Sequence, residues 1–126
     1  MRQFILIFLL ILSSSLKAGT ISRIICNKSY PSNYELIIDV DIFESLPPQS
    51  LVKLYQDEEL VGEKRALKAL ISLESKPPQM AYKFIFFDND IFDFLRVNLT
   101  RYTAIMTYAS QTDEWKNITF HKCEFK

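Results

Sequence analysis

The chain has 126 residues, with 15 basic and 15 acidic side chains, one histidine and two cysteines. That length suits one domain with one core and is too short for two. The charges balance and form no basic stripe, which argues against nucleic acid as a partner.

The first stretch is Met1-Arg2-Gln3, then "FILIFLLIL" from Phe4 to Leu12, then Ser13-Ser14-Ser15-Leu16-Lys17-Ala18. A basic start, a short apolar run and a small-residue exit are the parts of a secretory signal segment. Cleavage is expected after Ala18, leaving residues 19–126 as a single secreted β-rich domain. The apolar run is too short to cross a bilayer, which needs about 20 residues, and no later run approaches that length. The expected location is therefore extracellular, with no membrane span. Loss of Arg2 and Lys17 from the 15 basic residues leaves a slightly acidic mature chain.

Next comes "ISRIICN" (Ile21–Asn27), read as a first strand, with Cys26 in it. The only other cysteine, Cys123, lies in "NITFHKCEF" (Asn117–Phe125), read as the last strand. An exported protein keeps its disulfides, so a Cys26–Cys123 bridge is expected. It would close almost the whole domain into one loop, worth about 4–5 kcal/mol on the chain-entropy model. Two cysteines and one histidine fall short of the four ligands of a structural zinc site. No metal and no cofactor are expected.

"YELIIDVDIF" (Tyr34–Phe43) alternates, with Tyr34, Leu36, Ile38, Val40 and Ile42 on one side and Glu35, Asp39 and Asp41 on the other. That period of two predicts a half-buried strand. Asp39 and Asp41 are thereby neighbours on its polar face. The middle is ambiguous. Leu51–Gln56 and Leu60–Glu63 read as a hairpin around Asp57-Glu58-Glu59, followed by a short helix or strand. The same stretch through Ser72 also reads as a helix capped by Asp57, with Leu60, Leu67, Leu70 and Ile71 as its buried stripe. "PPQSLVKLY" and "PPQMAYKFI" echo each other, and each proline pair is read as a stiff loop leading into a strand. "AYKFIFF" (Ala81–Phe87) and "LTRYTAIMTYAS" (Leu99–Ser110) read as strands. "DNDIFDFL" (Asp88–Leu95) reads as a helical turn capped by Asp90. With only Gly19 and Gly62 in the chain, primed hairpin turns are expected to be scarce.

The strands and the absence of a βαβ rhythm predict a mainly β fold. The expected form is a small antiparallel β-sandwich or barrel, with room for one short helix, stapled from end to end by the disulfide.

Few residues suggest chemistry. His121 is the only histidine and, on the strand reading, shares a face with Cys123. A Cys–His nucleophile would need a free thiol, so an ordinary strand histidine is expected, and no catalytic residue is assigned. Asp88, Asn89, Asp90 and Asp93 carry oxygen ligands suited to calcium, but without the EF-hand spacing; turn formation is the expected role. Tyr82, Phe84, Phe86, Phe87, Phe92 and Phe94 crowd into thirteen residues. One aromatic face is expected to be core; alternatively Tyr82, Phe84, Phe86 and Phe92 line an apolar cavity between sheets.

Three of the five asparagines begin Asn-x-Ser/Thr triplets: Asn27, Asn98 and Asn117. In a eukaryotic secretory route these are glycan acceptors. "ICNKSYPSNYELIIDV" and "NITFHKC" resemble short stretches of two secreted β-sandwich families, the transthyretin-like proteins and a family of lipid-recognition proteins. The spacing between the stretches fits neither family, and no site residue is carried over.

The leading expectation is a small secreted non-enzymatic module that binds another extracellular molecule. The rival is a carrier of lipid or another apolar small molecule in an aromatic-lined cavity. A hydrolase would need a base, a nucleophile and a metal set that are not visible.

Overall fold

The computed structural model of the chain describes residues 21–40, 49–109 and 114–126. The predicted export segment, Asp41, Ile42, Phe43 and Ser110 lie outside them. Eight strands follow in order: β1 (Arg23–Tyr30), β2 (Tyr34–Asp39), β3 (Ser50–Gln56), β4 (Glu59–Leu73), β5 (Gln79–Phe86), β6 (Phe92–Asn98), β7 (Thr103–Ala109) and β8 (Trp115–Phe125). Each pairs antiparallel with the next, and β8 returns to pair with β1, closing a barrel. Of the two forms expected, sandwich and barrel, the barrel is the one adopted. Closure also gives the first and last strands a partner on both sides, so neither is left as an edge.

The seam between β1 and β8 carries the disulfide. Cys26 and Cys123 stand directly opposite each other, with Cα atoms 4.0 Å apart, and both side chains are buried. The two ends are clasped again beyond it. Ser22 N and Arg23 N donate to the Lys126 carbonyl at 2.7 and 3.0 Å, and Lys126 N donates to the Arg23 carbonyl at 2.8 Å.

β2 shows why these segments become strands. Its burial alternates residue by residue, with Tyr34, Leu36 and Ile38 inside and Glu35 out. Ser29 ties the tight β1–β2 turn: its Oγ accepts from Tyr34 N at 2.6 Å and donates to the Ser32 carbonyl.

β4 resolves the ambiguous middle as one strand of 15 residues; no described residue is helical. Its first half pairs with β3 and its second half with β5, so a segment rich in helix formers is held extended by ladders. The expected helical turn at Asp88–Leu95 is likewise corrected: β6 begins at Phe92. A register shift between Phe92 and Phe94 puts buried Phe92 and Leu95 three apart, a spacing that mimics a helix.

The β3–β4 connection is a two-residue turn in which both Asp57 and Glu58 have positive φ, 50° and 68°. Paired positive φ values mark a primed hairpin turn, which suits the strand twist even without glycine. Gly62 has a different task. It faces inward opposite Leu54, and a Cβ built on it would lie 2.8 Å from Phe92 Cζ. The missing side chain is filled by the Phe92 ring.

Candidate functional site

The barrel interior is occupied by rings in sequence. Phe86 and Phe92 have centroids 5.3 Å apart, Phe92 and Tyr108 6.0 Å, and Tyr108 and Tyr34 6.2 Å. Phe84, Phe86 and Phe92, three of the four residues expected to line a cavity, belong to this packed core. Leu36, Leu54, Leu95 and Ile118 fill the space around them. Burial raises the phenol pKa of Tyr34 and of Tyr108; for Tyr34 the neighbouring Tyr108 and Asp57 add to the effect. Both phenols are therefore neutral at physiological pH.

Tyr82, the fourth residue, sits apart. It is half-buried, meets Phe84 edge-on at 6.2 Å and carries Lys68 Nζ 4.8 Å above its ring. Burial raises its pKa as well. It stands where β4 runs past the last residue that it ladders with β3 among the described strands. The β3–β4 ladder stops at Ala66, and β5 pairs with β6 only over Ala81–Phe84. Beyond Ala66, β4 runs on to Leu73, laddered with β5 alone among the described strands.

This overhang of β4 beyond its β3 ladder is apolar on one face and mixed on the other. Leu67, Ala69, Ile71 and Leu73 alternate with Lys68, Leu70 and Ser72, and Leu70 is 59% exposed. Met80 and Ile85 of β5 are also exposed, as is Phe87 just past it, which lies level with the part of β4 laddered to β3. On its β6 side the hairpin is braced by the β6–β7 turn. Leu99 N donates to the Met80 carbonyl at 2.9 Å, and Met80 N donates to Thr100 Oγ1 at 3.0 Å. Exposed apolar side chains on a braced backbone suit recognition of another surface.

The other end of the barrel is acidic. Asn33, Tyr34, Glu35, Tyr55, Asp57 and Glu58 surround a hollow of ≈ 350 Å³ at the β1–β2 and β3–β4 turns. The two turns are joined by a bond from Asp57 N to the Asn33 carbonyl at 3.2 Å.

The remaining candidates are placed as follows. His121 does not share a face with Cys123, as the plain alternation implied. Exposed His121 and Lys122 separate buried Phe120 from buried Cys123, and opposite them Lys28 adopts a φ of 53°. The irregularity turns His121 outward, away from the disulfide. Asp39 bonds to Arg23 Nε at 2.9 Å; its expected partner Asp41 lies outside the described residues. In the acidic loop Asp90 accepts from Lys64 Nζ at 3.0 Å and from Ile91 N at 2.8 Å. The hydrogen bond from Lys64 is the chief reason its carboxyl is held below the ordinary carboxylate pKa. Among the described residues no three histidine, cysteine or carboxylate side chains are placed to hold a metal ion.

The three Asn-x-Ser/Thr asparagines differ sharply. Asn98 Oδ1 caps the β6–β7 turn, accepting from Thr100 N at 3.0 Å and Arg101 N at 2.9 Å, while its Nδ2 lies 2.8 Å from the side-chain amide of Gln79. Asn27 is half-buried at the seam, opposite Lys122. Asn117 is exposed on β8.

Comparison with family models, curated proteins and solved structures found no match to this chain. Its function therefore has to be read from the residues themselves. The signal for the overhang was present in "RALKALISL", an apolar-rich run, but it was indistinguishable from an amphipathic helix.

Proposed function

We propose that the protein is a small secreted, non-enzymatic binding module that engages an extracellular protein through the β4–β5 overhang. The observation that carries this reading is the contrast in packing: the aromatic rings of the barrel are in mutual contact, while Leu70, Met80 and Ile85 stand exposed on the hairpin. The signal-like start and the buried disulfide across the seam support export to an oxidising compartment.

The second reading, carriage of lipid or another apolar small molecule, draws on Tyr82. This half-buried ring continues the core toward one end of the barrel. A ligand entering there would have to part Phe84 from its neighbours.

The test is the intact mass of protein purified gently from a secreting eukaryotic cell, before and after reduction and solvent extraction. The module reading expects loss of residues 1–18, a gain of two hydrogens on reduction and no extractable apolar adduct. A stoichiometric apolar adduct would replace it with the carrier reading. An uncleaved start with two free thiols would sink both.

A further inference from the structure

We propose that Asn117 is a glycan acceptor of this chain, and that its first sugar seats in a shallow hollow running across β8, β7 and β6. The inference rests on the secretory reading and adds to it a particular site and a ligand chemistry, an N-linked N-acetylhexosamine.

Ladder register lines up two lateral rows on the outer face of the barrel. Asn117 stands opposite Thr107, which stands opposite Phe94; Thr119 stands opposite Ile105, which stands opposite Arg96. Phe94, Ile105, Thr107, Asn117 and Thr119 line a hollow of ≈ 240 Å³. Its lining combines an aromatic ring and an isoleucine with two hydroxyls and an amide. A pyranose has the matching character, with an apolar C–H face and polar edges, and the C–H face packs on an aromatic ring. Arg96 lies over the Phe94 ring, its Cζ 6.0 Å from the centroid, and adds a donor at the far side.

The folded chain has room for a sugar on Asn117 and little on Asn98. Thr107 Oγ1 donates to Asn117 Oδ1 at 3.1 Å, which orients the carboxamide and leaves Nδ2 with no bond among the described residues. The Asn98 amide is instead boxed in, its Nδ2 2.8 Å from the side-chain amide of Gln79, itself nine-tenths buried, and its Oδ1 tied to the turn. In the transfer, a bond forms between Nδ2 and the sugar's anomeric carbon. The bond from that carbon to the pyrophosphate of a lipid-linked oligosaccharide breaks, the pyrophosphate leaves with the electron pair, and Nδ2 loses one proton. The third residue of the triplet, Thr119, lies on the same outer face.

The full chain, with its own start, would be expressed in a glycosylating secretory cell and mapped by mass spectrometry site by site. Asn117 is expected to be occupied and Asn98 bare. Thermal midpoints of the wild type, Phe94→Ala, Thr119→Ala and the double variant then test the seat. Thr119→Ala removes the acceptor triplet but keeps the Asn117–Thr107 bond. Phe94→Ala is expected to lower the midpoint by roughly 3–5 °C more in the glycosylated chain than in the Thr119→Ala background, on a scale of about 4–8 °C per kcal/mol for small domains. A secreted chain bare at Asn117 would overturn the site. Equal effects of Phe94→Ala in both backgrounds would overturn the seat. A retained chain with residues 1–18 uncleaved would overturn the secretory reading on which both stand.

Discussion

The ring column inside the barrel and the overhanging end of the β4–β5 hairpin use the same kinds of residue, yet they end in opposite surroundings. Phe86, Phe92, Tyr108 and Tyr34 come from four strands that are each paired on both sides, so closure turns their side chains onto one another. Leu67–Leu73 have one described ladder, to β5. Apolar character is thus equally strong in both regions. Burial differs because it depends on how many neighbouring strands reach that height. Leu70, more than half exposed, and its exposed neighbours Met80 and Ile85 are the residues on which the proposed binding role rests.

The largest expected blow to the column side of this comparison is loss of the seam. Cys26→Ser with Cys123→Ser opens a loop of 97 residues, and denaturant unfolding should show a loss of about 4–5 kcal/mol. If the midpoint moved by less than a quarter of that, the ladders and the terminal clasp would be holding the barrel without the bridge.

Gly62→Ala probes how full the column is. Its new Cβ meets the Phe92 ring at 2.8 Å and Ile91 Cδ1 at 3.1 Å. Overpacking of this kind costs about 1–3 kcal/mol, and Phe92→Leu in the same chain should recover part of it. A neutral Gly62→Ala would mean that the core has slack, which is what the carrier reading requires.

Glu58→Gly should stabilise the fold by about 0.5–1 kcal/mol, because glycine takes the positive φ of 68° without the steric cost borne by glutamate. A rise in the thermal midpoint checks it, and a fall would show that the Glu58 side chain makes a contact worth more than the strain.

The smallest stability effect is expected in the overhang. Leu70→Ser should change unfolding free energy by less than about 0.5 kcal/mol, as is usual for exposed positions. If the overhang is the docking surface proposed above, the same variant should lower binding to an extracellular partner, whereas folded Gly62→Ala should bind as the wild type does. A large loss of stability from Leu70→Ser would place the overhang with the core and remove the contrast.

Much of the β content was legible in the chain itself. Tyr34–Ile38 alternate cleanly because each second residue faces the core, and alternation is a local signal. β6 was hidden by the register shift that puts Phe92 and Leu95 three apart, and β4 by alanine, leucine and lysine that favour a helix when no neighbour is present. Of the candidate site residues, the aromatic four were visible as a cluster. Their division into three core rings and one ring at the edge depends on where β3 and β6 end. The three asparagines looked alike as triplets and became unlike only through Gln79, the Asn98-capped turn and Thr107.

What the sequence determined alone was the secretory-type start, the cysteine pair at two ends and the period-two runs of a β fold. These are properties of composition and near neighbours. The tertiary structure decided that eight strands close into a barrel with the bridge on its seam. It also decided that His121 turns away from Cys123, that Gly62 makes room for Phe92, and that Leu70 is left outside. Each of these depends on which distant strand lies alongside. Ladder pairing sets that between residues far apart in the chain, where local patterning carries no information.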